Sequence, residues 1–312
     1  MNARRSMRFL VALFVCTVAA VSVPASAATC PSNPEALGTS RVLTINPSEF
    51  TLLGTIDYEQ TLPLKDHEVV ITFDDGPLPP YTDIILDTLA SQCVKATYFL
   101  VGQMAHAYPS VVRRIYNEGH TIGTHSQDHP RAFERLSMQR VEREVDGGII
   151  SVTAALGDAK ALSPFFRIPG FGRTNAIERF LEGKQLVIWS ADVDTDDWWR
   201  GSSPEAIVQR AMRRLSAKGG GIILMHDIHR ATAMALPILQ VVHVVAEGEQ
   251  PKSVPEPMAL PTTDGKASPT VLTSAPRGTQ HRIKKHSASR HYPAHSYYPS
   301  GLIEDRMSAL GH

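Results

Sequence analysis

The sequence predicts an α/β domain built on a parallel sheet, and three observations carry that expectation. From Glu68 onward, short apolar runs of strand length alternate with longer stretches of helical period, the pattern of β-then-α units joined by crossovers. Six or seven such units fit along the chain, too few for a full eight-fold barrel but suited to an open or distorted one, with a doubly wound sheet as the alternative. Five of the apolar runs lead directly into polar clusters, and in parallel α/β folds the segments just past the strand ends converge on one face.

The elements follow in order. Apolar runs at Val69–Phe73, Ala96–Val101, His120–Thr124, Phe165–Arg167, Gln185–Ala191 and Gly221–Met225 read as strands. Helical period marks Tyr81–Gln92, Ala105–Glu118, Met138–Leu156, Asn175–Leu181, Pro204–Ala217 and a last helix near Met234–Ala246. Pro204 opens its helix, where a missing N–H leaves no bond unmade. No Gly-x-Gly-x-x-Gly follows a strand, so nothing marks a dinucleotide site.

Four segments make up the expected organisation. Arg4, Arg5 and Arg8 precede an apolar run from Phe9 to Val23, and Ala25-Ser26-Ala27 follows, which reads as a secretory signal peptide over residues 1–27. The run is shorter than the roughly 20 residues of a membrane span, so the expectation is a secreted or periplasmic chain with no stable span. Residues 28–65 hold Pro31, Pro34, Pro47 and Pro63 and read as an extended lead-in packed on the domain. The domain itself covers 66–248. Residues 249–312 are rich in Pro, Ser, Thr, His and Tyr without apolar period, a composition that cannot bury enough surface to fold. Over 251–312, four Lys and four Arg face two Glu and two Asp. That net positive tail suits either plain solvation or contact with an anionic cell surface.

Composition limits the function classes. The 312 residues balance 31 Lys+Arg against 31 Asp+Glu, with 43% apolar and 20% charged residues. Those are globular proportions, and zero net charge argues against a nucleic-acid binder. Beyond Cys16, only Cys30 and Cys93 remain. In an oxidising compartment they either pair, which would tie the lead-in to the first helix, or stay as two separate thiols.

The polar clusters carry the chemistry. They are Asp74-Asp75-Gly76, His125-Ser-Gln-Asp-His129, Arg167-Ile-Pro169-Gly170, the acidic run from Asp192 to Asp197 with Trp198, and His226-Asp227. Each has a plain alternative alone. Asp74 or Asp75 suits a helix cap, Arg167 an ion pair, His226 a core histidine, and Trp198 and Trp199 core aromatics. His125 and His129, at i and i+4, would face one way on a helical turn and suit a metal. Five clusters after five separate strands are hard to explain as packing.

Thr72-Phe-Asp-Asp-Gly76, His125-Ser-x-x-His129, Arg167-x-Pro169, Asp194-x-x-Asp197-Trp198 and Leu224-x-His226 resemble, in order and spacing, the five motifs of the polysaccharide deacetylase family, over about residues 66–247. That family includes chitin, chitooligosaccharide and peptidoglycan N-acetylglucosamine deacetylases. The resemblance implies a distorted (β/α)7 barrel and metal-dependent removal of N-acetyl groups from glycans. Asp74 is then the general base and Asp75, His125 and His129 are ligands of a divalent metal, Zn²⁺ first and Co²⁺ or another ion next. His226 is the general acid and Arg167 orients the base. Leu224, Pro169, Gly170 and Trp198 shape the substrate pocket. An aspartate of the acidic run, Asp194 or Asp197, contacts His226.

The residue types suit amide hydrolysis, which needs an activated water, a stabilised oxyanion and a protonated leaving nitrogen. Two departures stand out: Gly170 replaces the aromatic residue usual after the third motif's proline, and Asp192, Asp194, Asp196 and Asp197 leave the fourth motif's register open. Two rivals remain: a carbohydrate-binding surface protein without turnover, and a non-haem iron oxygenase using the same Asp/His/His donors.

Overall fold

The computed structural model describes residue 30 and residues 33–241. The expected leader and the tail from 249 onward lie outside the described residues, as does the end of the last helix. Fifteen strands and α-helices, broadly alternating, run through the described residues. They are β1 (Leu52–Leu53), β2 (Val69–Asp74), α1 (Tyr81–Ser91), β3 (Thr97–Leu100), α2 (Gly102–Ala107), α3 (Pro109–Asn117), β4 (Thr121–Thr124) and α4 (Met138–Leu156), then β5 (Phe165–Phe166), α5 (Asn175–Gly183), β6 (Val187–Trp189), β7 (Val193–Asp194), α6 (Pro204–Lys218), β8 (Gly221–His226) and α7 (Arg230–Val241). Short polar side chains set the helix starts: Ser137, Thr174 and Ser203 each accept a backbone N–H from the first turn, satisfying a donor the helix leaves orphaned.

The strands form one sheet in the order β1-β6-β5-β4-β3-β2-β8-β7, and every neighbouring pair is parallel. β2 to β6 lie side by side in chain order, without the reversal of a doubly wound sheet. The sheet curls into a half-barrel, the distorted-barrel architecture expected from the sequence.

Strand residues alternate between two cores, as a period of two requires. Phe73, Tyr98, Leu100, Ile223 and Met225 pack against Ile85, Leu86 and Leu89 of α1, Val112 and Ile115 of α3, and Leu236 of α7. Their strand neighbours Phe99, Val187, Trp189, Ile222 and Leu224 pack with one another and with Leu53 and Leu62. That second set takes no residue from α1–α7, so it fills the inside of the curl. Asp74 shares the parity of Val70, and His226 that of Ile222 and Leu224, so both side chains face inward at the strand ends.

The sheet's two edges, β1 and β7, are joined by side chains rather than a ladder. Asp192 Oδ1 accepts the Thr55 N–H at 2.9 Å and the Thr55 hydroxyl at 2.6 Å. Its Oδ2 accepts from Thr61 Oγ1 at 2.6 Å and Ile222 N at 2.8 Å. The lead-in thus closes the barrel, and Cys30 and Cys93 form a disulfide that fastens it to the segment after α1.

Three local expectations change. The helix expected over Ala105–Glu118 is two, broken at Tyr108 because Pro109 opens α3 and disfavours helical geometry in the residue before it. The lead-in contributes strand β1, pairing Leu52 with Ile188, and Val193–Asp194 adds β7. Residues 125–129 are not a helical turn: Ser126 and His129 take φ of 66° and 50° in a loop.

Candidate functional site

β2 delivers the first carboxylate. Asp74 stands opposite His226 in the parallel register of β2 and β8. Arg167, fully buried just past β5, donates from Nη1 to Asp74 Oδ1 at 2.6 Å and to Thr72 Oγ1 at 2.9 Å. Its Nη2 donates to the Ser190 carbonyl at 2.9 Å, and its guanidinium lies 4.2 Å from the Phe99 ring centre. Arg167 therefore fixes one Asp74 oxygen from inside the barrel. The other, Oδ2, lies 3.7 Å from His125 Nε2.

At Asp75 the strand ends with φ of 78°, left-handed backbone that an Asp tolerates better than most residues. The turn turns Asp75 toward two histidines: its Oδ1 lies 3.5 Å from His125 Nε2 and 3.4 Å from His129 Nε2. One ligand atom from each of the three lies within 4.8 Å of the others. Both Asp75 oxygens are buried without a hydrogen bond. Burial pushes this carboxyl up, but His129, His226 and His125 outweigh burial and hold it below the ordinary carboxylate range.

The set fits a divalent cation. His125 Nδ1 lies 2.7 Å from the Arg167 carbonyl, which can only accept, so Nδ1 carries the proton and Nε2 presents a lone pair to Asp75. Burial takes the His125 pKa down to about 4 against the upward pull of the Asp74 and Asp75 charges, leaving the ring neutral at pH 7. Ligands about 2.1 Å from a tetrahedral ion stand about 3.4 Å apart, close to the spacings seen here.

A second acid–histidine pair closes the other side. His226 Nδ1 lies 2.7 Å from Asp197 Oδ1, and the His226 N–H donates to Asp197 Oδ2 at 2.7 Å. Thr232 Oγ1 donates to the same oxygen at 2.6 Å. Burial alone would lower the His226 pKa, but the Asp197 charge and hydrogen bond, with Asp75 and Asp74 beyond, raise it to about 10. The open register is thereby read. Asp197 holds His226, whereas Asp194 accepts the Asp196 N–H and its carboxyl, raised chiefly by burial, faces inward opposite Leu224. Asp192 closes the barrel, and Asp196 pairs with Arg214 at 2.7 Å.

The expected pocket residues divide by exposure. Leu224 and Pro169 are buried, Trp198 is half-buried, and Gly170 is exposed with φ of 57°. A Cβ on Gly170 would meet nothing within 4 Å, so the usual aromatic is missing from an open position.

Sequence reasoning gave no role to the residues that hold the loops. Buried Glu144 on α4 accepts the Asp128 N–H at 2.9 Å and pairs with Arg140 at 2.6 Å. Ser151 donates to Gln127 Oε1 at 2.8 Å, and a Cβ on Gly148 would fall 2.8 Å from the Ser126 carbonyl. Residues 140, 144, 148 and 151 share one helix face, which forms the bed of the His125–His129 loop. Asp227, whose burial first raises its carboxyl pKa to about 7, accepts from Thr82 Oγ1 at 2.7 Å. A Cβ on Gly76 would lie 2.1 Å from its Oδ2, so the turn after Asp75 needs glycine. His229, half-buried 5.9 Å from the His226 ring, had a signal only in its closeness to His226. Glu144 had none, since one glutamate on an amphipathic helix reads as solvent face.

Comparison with known proteins places these features. Residues 61–182 match the family described as polysaccharide deacetylase. A peptidoglycan-N-acetylglucosamine deacetylase of Listeria monocytogenes is 36% identical over 168 residues, 54% of this chain. The match spans about a third of that relative's length, 34%. A chitooligosaccharide deacetylase of Rhizobium leguminosarum bv. trifolii is 32% identical over 165 residues, covering 52% of this chain and 72% of the relative. The solved structure of a peptidoglycan deacetylase from Bdellovibrio bacteriovorus superposes with a TM-score of 0.55 at 30% identity, over 63% of this chain and 53% of the other.

Proposed function

The chain belongs to the polysaccharide deacetylase family, and from that premise we propose that it is a metal-dependent hydrolase removing N-acetyl groups from N-acetylglucosamine units of a glycan, of chitooligosaccharide or peptidoglycan type. The observation that carries the reading is the buried Asp75 carboxylate, unfilled by hydrogen bonds, facing two histidines between Asp74 and His226.

Asp75, His125 and His129 would hold the cation, with zinc the ion best matched to two imidazoles and one carboxylate. When bound, it supplies Lewis-acid polarisation of the acetyl carbonyl and makes water more acidic. Asp74 takes the proton of the attacking water on Oδ2, because Arg167 occupies Oδ1. The water oxygen bonds to the acetyl carbon, the C–N bond breaks, and acetate and a free amine leave. His226 gives the leaving nitrogen its proton. With Nδ1 bound to Asp197, Nε2 is the donating atom, and the raised pKa keeps that proton in place at neutral pH. Leu224 and Pro169 would wall the acetyl methyl and Trp198 the sugar, with the exposed Gly170 leaving one side open to bulkier substituents. Asp194 acts on Arg167 only at longer range, adding to the Asp74 charge that favours its cation.

The disulfide supports an oxidising compartment, in keeping with the secreted or periplasmic location proposed from the N-terminal pattern. Among the described residues no helix is long and apolar enough to cross a membrane.

Acetate release by the full chain tests the reading. Chitooligosaccharides and peptidoglycan are offered in parallel, with chelator, with zinc restored, and with Asp74→Asn. The expected outcome is release that chelator stops, zinc restores and Asp74→Asn abolishes while keeping its metal. Glycan binding by the metal-loaded chain with no acetate from either substrate would establish the binding-protein rival instead.

A further inference from the structure

Two consecutive tryptophans follow Asp197, and only the first has a place in the chemistry above. Trp198 is half-buried, whereas Trp199 leaves 52% of its surface exposed, the largest side chain among the exposed apolar residues described. An exposed apolar residue is ordinary by itself. An exposed indole held rigid beside a candidate glycan site is not.

Trp199 is fixed from several directions. Its ring meets Trp198 edge-on, with centres 5.8 Å apart and planes at 88°. The Arg210 guanidinium stands over the ring 5.9 Å from its centre. Arg210 is itself anchored, donating to the Thr195 carbonyl at 2.8 Å, the Asp196 carbonyl at 3.1 Å and Ser202 Oγ at 3.0 Å. The backbone agrees: Trp199 N–H donates to the Asp196 carbonyl at 3.2 Å and Ser202 N–H to the Trp199 carbonyl at 3.1 Å. The indole is thus braced by a fixed cation and by Trp198 while half of its surface stays open.

A flat indole face carries negative quadrupole charge, and a pyranose ring offers it a patch of weakly positive C–H groups. Trp199 is two residues past Asp197, within about 7 Å of it along the backbone, so a sugar stacked there belongs to the same glycan chain as one seated at His226. We propose that Trp199 is a stacking platform for a sugar neighbouring the one that is deacetylated, making the enzyme prefer longer chains. This rests on the deacetylase reading above.

The test compares chitobiose and chitopentaose with wild type, Trp199→Ala and Trp199→Phe. Acetate release gives kcat and KM, and calorimetry with chelator-treated protein gives affinity without turnover. The expected result is that Trp199→Ala shrinks the kcat/KM advantage of pentamer over dimer about 5- to 10-fold, through KM, with a matching loss of pentamer affinity. Trp199→Phe keeps most of both. Equal effects on dimer and pentamer, or unchanged pentamer affinity, overturn the platform, as does wild type binding no chitopentaose. If wild type binds the pentamer yet releases no acetate, the deacetylase reading fails and calorimetry alone decides the platform.

Discussion

Two buried aspartates at the barrel mouth face histidines, and they are prepared in opposite ways. Asp197 is filled: its oxygens accept the His226 ring, the His226 backbone and the Thr232 hydroxyl. Asp75 is unfilled: neither oxygen accepts a hydrogen bond, and its histidines stand 3.4–3.5 Å away. A filled carboxylate spends its charge on one imidazole and keeps that imidazole protonated. An unfilled one, beside a histidine whose lone pair the Arg167 carbonyl aims inward, is set for a cation. Under the proposed function the same two residue types would make an acid at one pair and a ligand set at the other, with the hydrogen-bond partners deciding which.

The largest expected break in that contrast is at the unfilled side. Asp75→Asn should lower acetate release about 10³-fold or more, and excess zinc should not restore it. Asp197→Asn should cost less, about 10²-fold near neutrality, with a pH signature of its own. His226 is protonated up to about pH 10 in the wild type. Without the Asp197 charge and hydrogen bond its pKa drops, because burial is then less opposed. A divalent cation held by Asp75 would more than cancel that carboxylate's share of the lift. The deficit should therefore shrink as pH falls from neutrality toward 6 and grow about tenfold per pH unit above the new pKa, read from kcat profiles of the two proteins.

The pair also sets a stability window. The raised His226 pKa stabilises the fold fully below 6.5 and ceases to as pH rises through about 10. The lowered Asp197 pKa stabilises it fully above 3.8 and ceases to as pH falls through about 2. Denaturant unfolding across pH should show Asp197→Asn losing about 3 kcal/mol inside that window and converging on wild type outside it.

How much of this contrast was legible beforehand depended on what each residue does locally. Asp74, Arg167 and His226 stand directly after apolar runs, and strand parity carries them to one mouth, so pattern alone located them, whereas Asp75 joins them through a left-handed turn. The His125–His129 spacing suggested a helical turn, yet the two converge from a loop with left-handed residues, a geometry imposed by α4 rather than by local propensity. Asp192, Asp194, Asp196 and Asp197 are chemically identical in sequence. Only the position of β7, a two-residue strand too short to show a period, separates the barrel clasp, the inward acid, the arginine partner and the histidine partner. Glu144 was invisible because its partner is a backbone N–H sixteen residues away.

Smaller effects sharpen the account. Glu144→Gln keeps the donor set but loosens its loop, so metal affinity should fall about 10-fold, with kcat at saturating metal little changed; competition with a chromophoric chelator reads this. Cys93→Ser removes a bridge closing 63 residues, worth about 4 kcal/mol in the chain-entropy model. It touches neither aspartate, so unfolding should shift while the pH profile and metal affinity stay at their wild-type values.

The central claim is that an unfilled carboxylate, and not merely an acid beside a histidine, marks the cation site. The direct measurement is metal affinity and stoichiometry at pH 7 for the full-length wild type, Asp75→Asn and Asp197→Asn, compared with one another so that weak binding by other histidines cancels. The account predicts one tight site in wild type and Asp197→Asn, and none in Asp75→Asn. A tight site that survives in folded Asp75→Asn, or vanishes from folded Asp197→Asn, would contradict it.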